Sequence, residues 1–214
     1  MKPLPLKKLA DDTSGLALIE FALSLPIVLS MGLGGLELAN YAIATERVSQ
    51  IAMTAADNAA RVRTAIDEVD VNEVMAGAKF VGESIDFSKN GRIILSSLEE
   101  NAAKNGQWIR WQRCAGAKTV NSSFGVQGDG KTDSSLQGMG PTGKKIAAVS
   151  DTAVMFVEVF YDYQPIVPMP MLGYSGKTMN FTAAFNVRER TDQVLYNAKN
   201  LTGSNFSNCG LYVA

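Results

Sequence analysis

Histidine is absent from the 214 residues. With it go Ser-His-Asp and Cys-His nucleophile systems, histidine-containing metal sites and the usual general base near neutral pH. The remaining chemistry rests on a few carboxylates, two thiols and one glycine-rich loop. Gly125 to Thr132 reads GVQGDGKT, a literal match to the phosphate-loop pattern. That loop holds phosphate where a buried strand precedes it and a helix follows, so that amides and the helix N-terminus face the ligand. Here Asn121–Ser123 precede it and Asp133, Gly138, Gly140 and Pro141 follow, so no useful helix starts there and nucleotide binding is not expected. Asp129, Lys131 and Asp133 alternate, but no Glu closes a calcium loop of the EF-hand kind. Cys114 and Cys209 lie far apart and make no Cys-x-x-Cys redox or zinc pattern. The expectation is no catalytic residue, no metal and no cofactor. Glu20 is different. It is the single charge in the 21 residues LALIEFALSLPIVLSMGLGGL, from Leu16 to Leu36. A carboxylate in so apolar a run is costly to place in a membrane, which marks it as functional.

The element that carries Glu20 must therefore be a helix. At 1.5 Å per residue the run spans roughly 30 Å, the hydrocarbon thickness of a bilayer. It continues past Leu36: Val48, Ile51, Ala52, Ala55, Ala59, Val62 and Ile66 recur at three- and four-residue spacing. One helix is expected from Leu16 to Ile66, with residues 37–66 as its amphipathic continuation. Pro26 removes a backbone donor and should bend or loosen it, while Gly32, Gly34 and Gly35 allow close helix contact.

Residues 67–214 read as an α+β domain. Val71–Phe80 has the pattern of a short helix and Arg92–Leu95 that of a short strand. Gln107–Arg113 reads as a strand with Ile109 and Trp111 on one face, and both tryptophans, Trp108 and Trp111, are expected to pack rather than bind. From Gly116 to Lys145 the composition is that of a long surface loop. Ala153–Tyr163 and Thr178–Arg190 alternate with period two, the second more cleanly, so the face behind the first is expected to be partly covered. Pro165, Pro168 and Pro170 forbid a tight hairpin between them, which leaves an antiparallel pair with a broad connection. The fold class expected is α+β: a long N-terminal helix, membrane-spanning and then continuing into the domain, packed on a small antiparallel sheet.

Charge sets the topology. Lys2, Lys7 and Lys8 precede the run, and only Arg47 follows within twenty residues, so the N-terminus is expected in the cytoplasm and the domain across the membrane. In an exported domain, Cys114 and Cys209 most simply form one disulfide; two unpaired thiols would suit a cytosolic domain instead. A net charge of -1 with thinly spread Lys and Arg gives no footprint for nucleic acid. Ala42-Ile43-Ala44 is similar to a signal-peptidase site whose cutting would release a domain from Thr45, but the apolar stripe runs straight through it.

The residues around the run resemble the N-termini of type IV pilin-like proteins, with Gly15 before Leu16 and Glu20 fifth from Leu16. More narrowly, Gly15 to Pro26, then Gly35-Leu36-Glu37 and the alanine-rich helix, resemble TadE/TadG-like pseudopilins. The chain keeps Gly15, Ala17, Glu20, Phe21, Ala22, Leu23 and Pro26 of that pattern. VEVFYDYQPIVP and FTAAFNVRER are similar to the family's sheet region. Ser14 stands where a basic residue is common, and Leu16 and Leu18 replace the usual alanines.

The resemblance implies a leader, 1–15, cut by prepilin peptidase between Gly15 and Leu16, and a single transmembrane segment, 16–36, in a bacterial inner membrane. It implies a periplasmic domain, with the extracellular pilus as a second destination. The implied role is a minor pseudopilin of a Tad-type (Flp) pilus assembly system. Its partners would be the major pilin, other minor pseudopilins, prepilin peptidase and the inner-membrane assembly platform. Glu20, Phe21 and Pro26 become subunit-assembly residues, with Glu20 pairing the terminal amine of a neighbour. The alternative is an uncleaved, signal-anchored periplasmic binding or interaction domain. An exported hydrolase, working without histidine, is the weakest reading.

Overall fold

The computed structural model describes residues 15–167 and 176–214. The expected leader with Lys2, Lys7 and Lys8, and the loop prolines Pro168 and Pro170, lie outside the described residues. Helix α1, Leu16–Arg61, is continuous over 46 residues, about 69 Å at the usual rise. Pro26 does not interrupt it. The missing N–H leaves the Ala22 carbonyl without its usual donor. Nearby, Ser30 Oγ donates to the Pro26 carbonyl at 2.6 Å and Ser24 Oγ to that of Phe21 at 3.0 Å.

The helix ends at Arg61, five residues short of the expected Ile66. Val62 turns extended and Thr64 takes φ 64°, a conformation that a β-branched residue rarely adopts. Ile66–Asp67 then form strand β1, which pairs in parallel with β6, Leu195–Tyr196. Ile66 is buried as its place in the stripe implies, but it is buried from a strand. Helix α2, Glu68–Val81, starts three residues before Val71 because Asp67 caps it. The Asp67 carboxylate accepts from the Val69 N–H at 3.0 Å, and Asp70 accepts from the Asp67 N–H at 2.8 Å. A 3-10 turn, Glu83–Ile85, and the short helix α3, Phe87–Asn90, lead into the sheet.

Strands β2 (Gly91–Glu100), β3 (Gln107–Ala115), β4 (Ala153–Asp162) and β5 (Thr178–Asn186) form one sheet in the order β3-β2-β4-β5. Every neighbouring pair is antiparallel, including the expected β4–β5 pair. Strand β5 stops at Asn186 and not at Arg190, because the chain turns back to the end of α1. The Arg188 N–H donates to the Ala60 carbonyl, and the buried Arg190 guanidinium donates to those of Ala59 and Val62 at 3.4 Å each. These bonds occupy carbonyls that a helix C-terminus leaves open.

One face of the sheet meets the apolar stripe of α1. Val48, Ile51, Ala52, Ala55 and Ala59 share a core with Ile93, Leu95, Met155, Val157 and Val159. Part of the other face is covered by residues 116–152. There Phe124, Leu136, Met139 and Ala148 pack on Leu98, Ile109, Val154 and Phe156, so the expected surface loop is a second cover of the sheet. A bulge explains a further difference. The β2–β3 register shifts between Ser97 and Leu98, leaving Arg110 as the extra residue. Trp111 therefore enters the α1 core and Ile109 the opposite one, rather than sharing a face.

The candidate assembly helix and the latch at its exit

The first half of α1 is bare. Leu18, Phe21, Leu23, Ile27, Val28 and Met31 are between 61% and 73% exposed, on all sides of the helix. The span is long and apolar enough to cross a membrane. The sequence-selected residues Gly15, Leu16, Glu20, Phe21 and Pro26 all lie on this half and are exposed. A Cβ built on Gly32, Gly34 or Gly35 meets nothing within 4 Å, so the fold itself does not require these glycines. Ala44 sits mid-helix and is buried, so a cut after it would sever a packed element.

The first buried residue of α1 is Glu37, one position past the apolar run. Its carboxylate accepts from the Tyr163 hydroxyl at 2.6 Å and from the Val167 N–H at 2.9 Å. Asn40, one turn on, donates to the Tyr163 oxygen at 2.7 Å. Burial raises the Glu37 carboxyl, but the Tyr163 hydroxyl and the amides of Val167 and Ile166 outweigh it and hold the group below the usual carboxylate range. Burial and the neighbouring Glu37 charge push the Tyr163 phenol up in turn. This cluster ties α1, at its exit from the apolar run, to the chain leaving β4. Sequence reasoning passed over it, because Tyr163 and Val167 lie 126 and 130 residues away. The available signal was a carboxylate directly after Gly35-Leu36.

At the other edge of the sheet, Cys114 and Cys209 are disulfide-bonded, with Cα atoms 4.6 Å apart. The bond holds the C-terminal segment over β2 and β3. Beside it the buried Arg92 guanidinium donates to the carbonyls of Gly116, Leu211 and Cys209 at 2.9, 2.7 and 2.6 Å, and stacks 4.0 Å from the Tyr212 ring centre.

The GVQGDGKT stretch has no helix after it. Gly130 there serves packing: it has φ 74°, and a Cβ would fall 1.9 Å from the Gln107 carbonyl oxygen. Lys131 Nζ lies 5.7 Å from the Trp108 ring centre. Asp129 and Asp133 accept from the nearby amides of Val126 and Ser135. Among the described residues, no three acidic, Cys or His side chains gather to hold a metal.

A helix bare and apolar in one half and embedded in a one-sheet domain in the other defines an α+β protein whose N-terminal helix is long and apolar enough to cross a membrane. Residues 15–61 match the family model for TadE-like proteins, a span that is α1 with Gly15 before it. The TadE-like resemblance carried by Gly15 to Pro26 and the alanine-rich helix is borne out by this match. The match is confined to this N-terminal helix, and the TadE-like family that it names is one of structural components of pilus assembly. Comparison with curated proteins and with solved structures gave no match.

Proposed function

We propose that the protein is a minor pseudopilin of a Tad-type (Flp) pilus assembly system. Residues 1–15 are its leader, removed by prepilin peptidase between Gly15 and Leu16. Residues 16–36 cross the bacterial inner membrane and 37–61 carry the helix into a periplasmic domain. It works with the major pilin, other minor pseudopilins and the inner-membrane assembly platform, and it is a structural protein rather than an enzyme. The observation that carries this reading is the division of α1. One continuous helix is exposed at all but Gly34 of its first 21 residues and, with Glu20 as its single charge, predominantly apolar there, yet becomes a core element of the domain from Glu37 onward. In a bilayer that bare half needs only lipid, or other helices, around it.

Within that half, Glu20 with Phe21 and Pro26 forms the contact surface for neighbouring helices. In hydrocarbon its carboxylate is stable only with a partner, and the new amino group at Leu16 of an adjacent subunit supplies one. The pairing sets axial register as well as attraction. Glu20→Ala is expected to abolish or sharply reduce piliation while membrane levels of the protein stay normal. Normal piliation in that variant would refute an assembly role for the carboxylate and favour a plain anchor.

A further inference from the structure

The β4–β5 end of the sheet stands where α1 leaves its apolar run. Glu37 binds the Val167 amide one residue beyond Leu36, and Asn40 binds Tyr163 one turn further. Tyr41 packs edge-on against Tyr163 with ring centres 5.1 Å apart, and Lys177 Nζ lies 4.9 Å from the Tyr41 ring centre. Lys177 directly precedes β5 and is exposed. Beside this group Ile166 is 59% exposed, next to Pro165. A half-buried Tyr41, backed by the buried Tyr163, an exposed lysine and a bare isoleucine thus share one height along α1, immediately past a membrane-length segment. Tyrosine and lysine are the types that settle among headgroups, with apolar bodies toward the acyl chains and polar ends in water. The opposite end of β4 is about 30 Å away, at roughly 3.3 Å per residue.

We propose that this end of the sheet is a membrane-contact surface. Ile166 enters the boundary between headgroups and acyl chains, Tyr41 and Lys177 lie among the headgroups, and the domain rests on the bilayer instead of standing clear of it. The inference depends on reading Leu16–Leu36 as membrane-spanning. Its consequence is orientation. The tilt of a single spanning helix is set by interfacial anchors, and here the anchors lie on the side of α1 that faces the sheet. The Glu37 bond to Val167 keeps Ile166 at that height, so the domain meets its neighbours with one face.

The test uses the full chain in vesicles of phosphatidylethanolamine and phosphatidylglycerol. Single Ile166→Cys, Ile27→Cys and Val149→Cys variants carry an environment-sensitive fluorophore. The native cysteines are bonded to each other and do not compete for label. Ile27 marks the middle of the apolar run, and Val149, 71% exposed, lies beyond the far end of β4. Quenching is read against lipid nitroxides at the headgroup, at a shallow acyl position and at a deep one, and against aqueous iodide.

The label at 166 is expected to be quenched several-fold more by headgroup and shallow nitroxides than by the deep one. Position 27 should respond to the deep probe, and 149 to iodide alone. Iodide quenching at 166 equal to that at 149, with 27 still deep, overturns the proposal and leaves the spanning helix intact. Protection from iodide without lipid quenching also overturns it, because a protein surface then covers Ile166. Loss of deep quenching at 27 removes the spanning helix and the proposal with it.

Discussion

Glu37→Gln is the sharpest perturbation of the latch. The carboxylate accepts two donors, and a hydrogen bond to a charged group contributes about 1.5–3 kcal/mol. Glutamine keeps one acceptor but turns an NH2 toward either Tyr163 or Val167, so one buried donor loses its partner. The expected cost at neutral pH is about 2–3 kcal/mol, which corresponds to a fall of roughly 4–12 °C in Tm for a chain of this size. The assay is thermal unfolding of the full chain in detergent, followed by tryptophan fluorescence, in which Trp111 reports on the core because its indole is buried and donates to the Gln193 carbonyl.

The pH dependence has a definite sign. Hydrogen bonding holds the folded carboxyl below the usual value of 4.5. Its contribution is therefore complete above about 4.5 and is lost as pH falls through the lower, folded value. The gap between wild type and variant should be widest near neutrality and should close in acid. Equal gaps at neutral and acid pH would show that shape and not charge holds the latch, and would refute the reasoning. Tyr163→Phe should destabilise in the same direction, by removing the donor to Glu37 and the acceptor for Asn40.

Replacing Cys114 and Cys209 together by serine opens a 95-residue loop, which costs about 4.7 kcal/mol by chain entropy; the guanidinium midpoint should fall markedly, and an unchanged midpoint would contradict this. Glu158 behaves oppositely to Glu37. Burial raises its carboxyl despite donors from Ser122 and Ser123, so the native protein loses stability as pH rises from about 4.5 toward the folded value. Glu158→Gln should therefore gain on wild type over that range and hold the gain at neutral pH, measured by the same melts; a gap independent of pH would count against it. Ala55→Leu inserts bulk where α1 meets the sheet at a fully buried position, at a cost of about 1–3 kcal/mol. Ile43→Leu, on the exposed side of the same helix, should leave Tm unchanged.

Much of this architecture is legible in residue spacing. The stripe from Val48 to Ala59 packs as its period requires, and β4 and β5 pair as their alternation requires. The Cys114–Cys209 bond is what an exported domain with two cysteines most simply forms. The rest depends on contacts between distant residues. No Gly or Pro marks the end of α1; it stops because β1 finds β6, more than a hundred residues later, and Arg190 takes up its terminal carbonyls. The bulge at Arg110 breaks the period that placed Ile109 and Trp111 together, and nothing local announces it. Residues 116–145 look like a solvent loop because their apolar members, Phe124, Leu136 and Met139, are sparse, yet those few pack on Leu98, Ile109, Val154 and Phe156 of the sheet. Glu20 was conspicuous because its surroundings in sequence are apolar. Glu37 was not, because its partners are supplied by the fold.

The central claim is that α1 is a processed assembly helix. The most direct test is the N-terminus of the protein isolated from its native membrane, by intact mass and terminal peptide sequencing. A start at Leu16, after Gly15, is the result the account predicts. A start at Met1 in cells with active prepilin peptidase would contradict it and leave an anchored domain, and a start at Thr45 would mean that the helix had been discarded altogether.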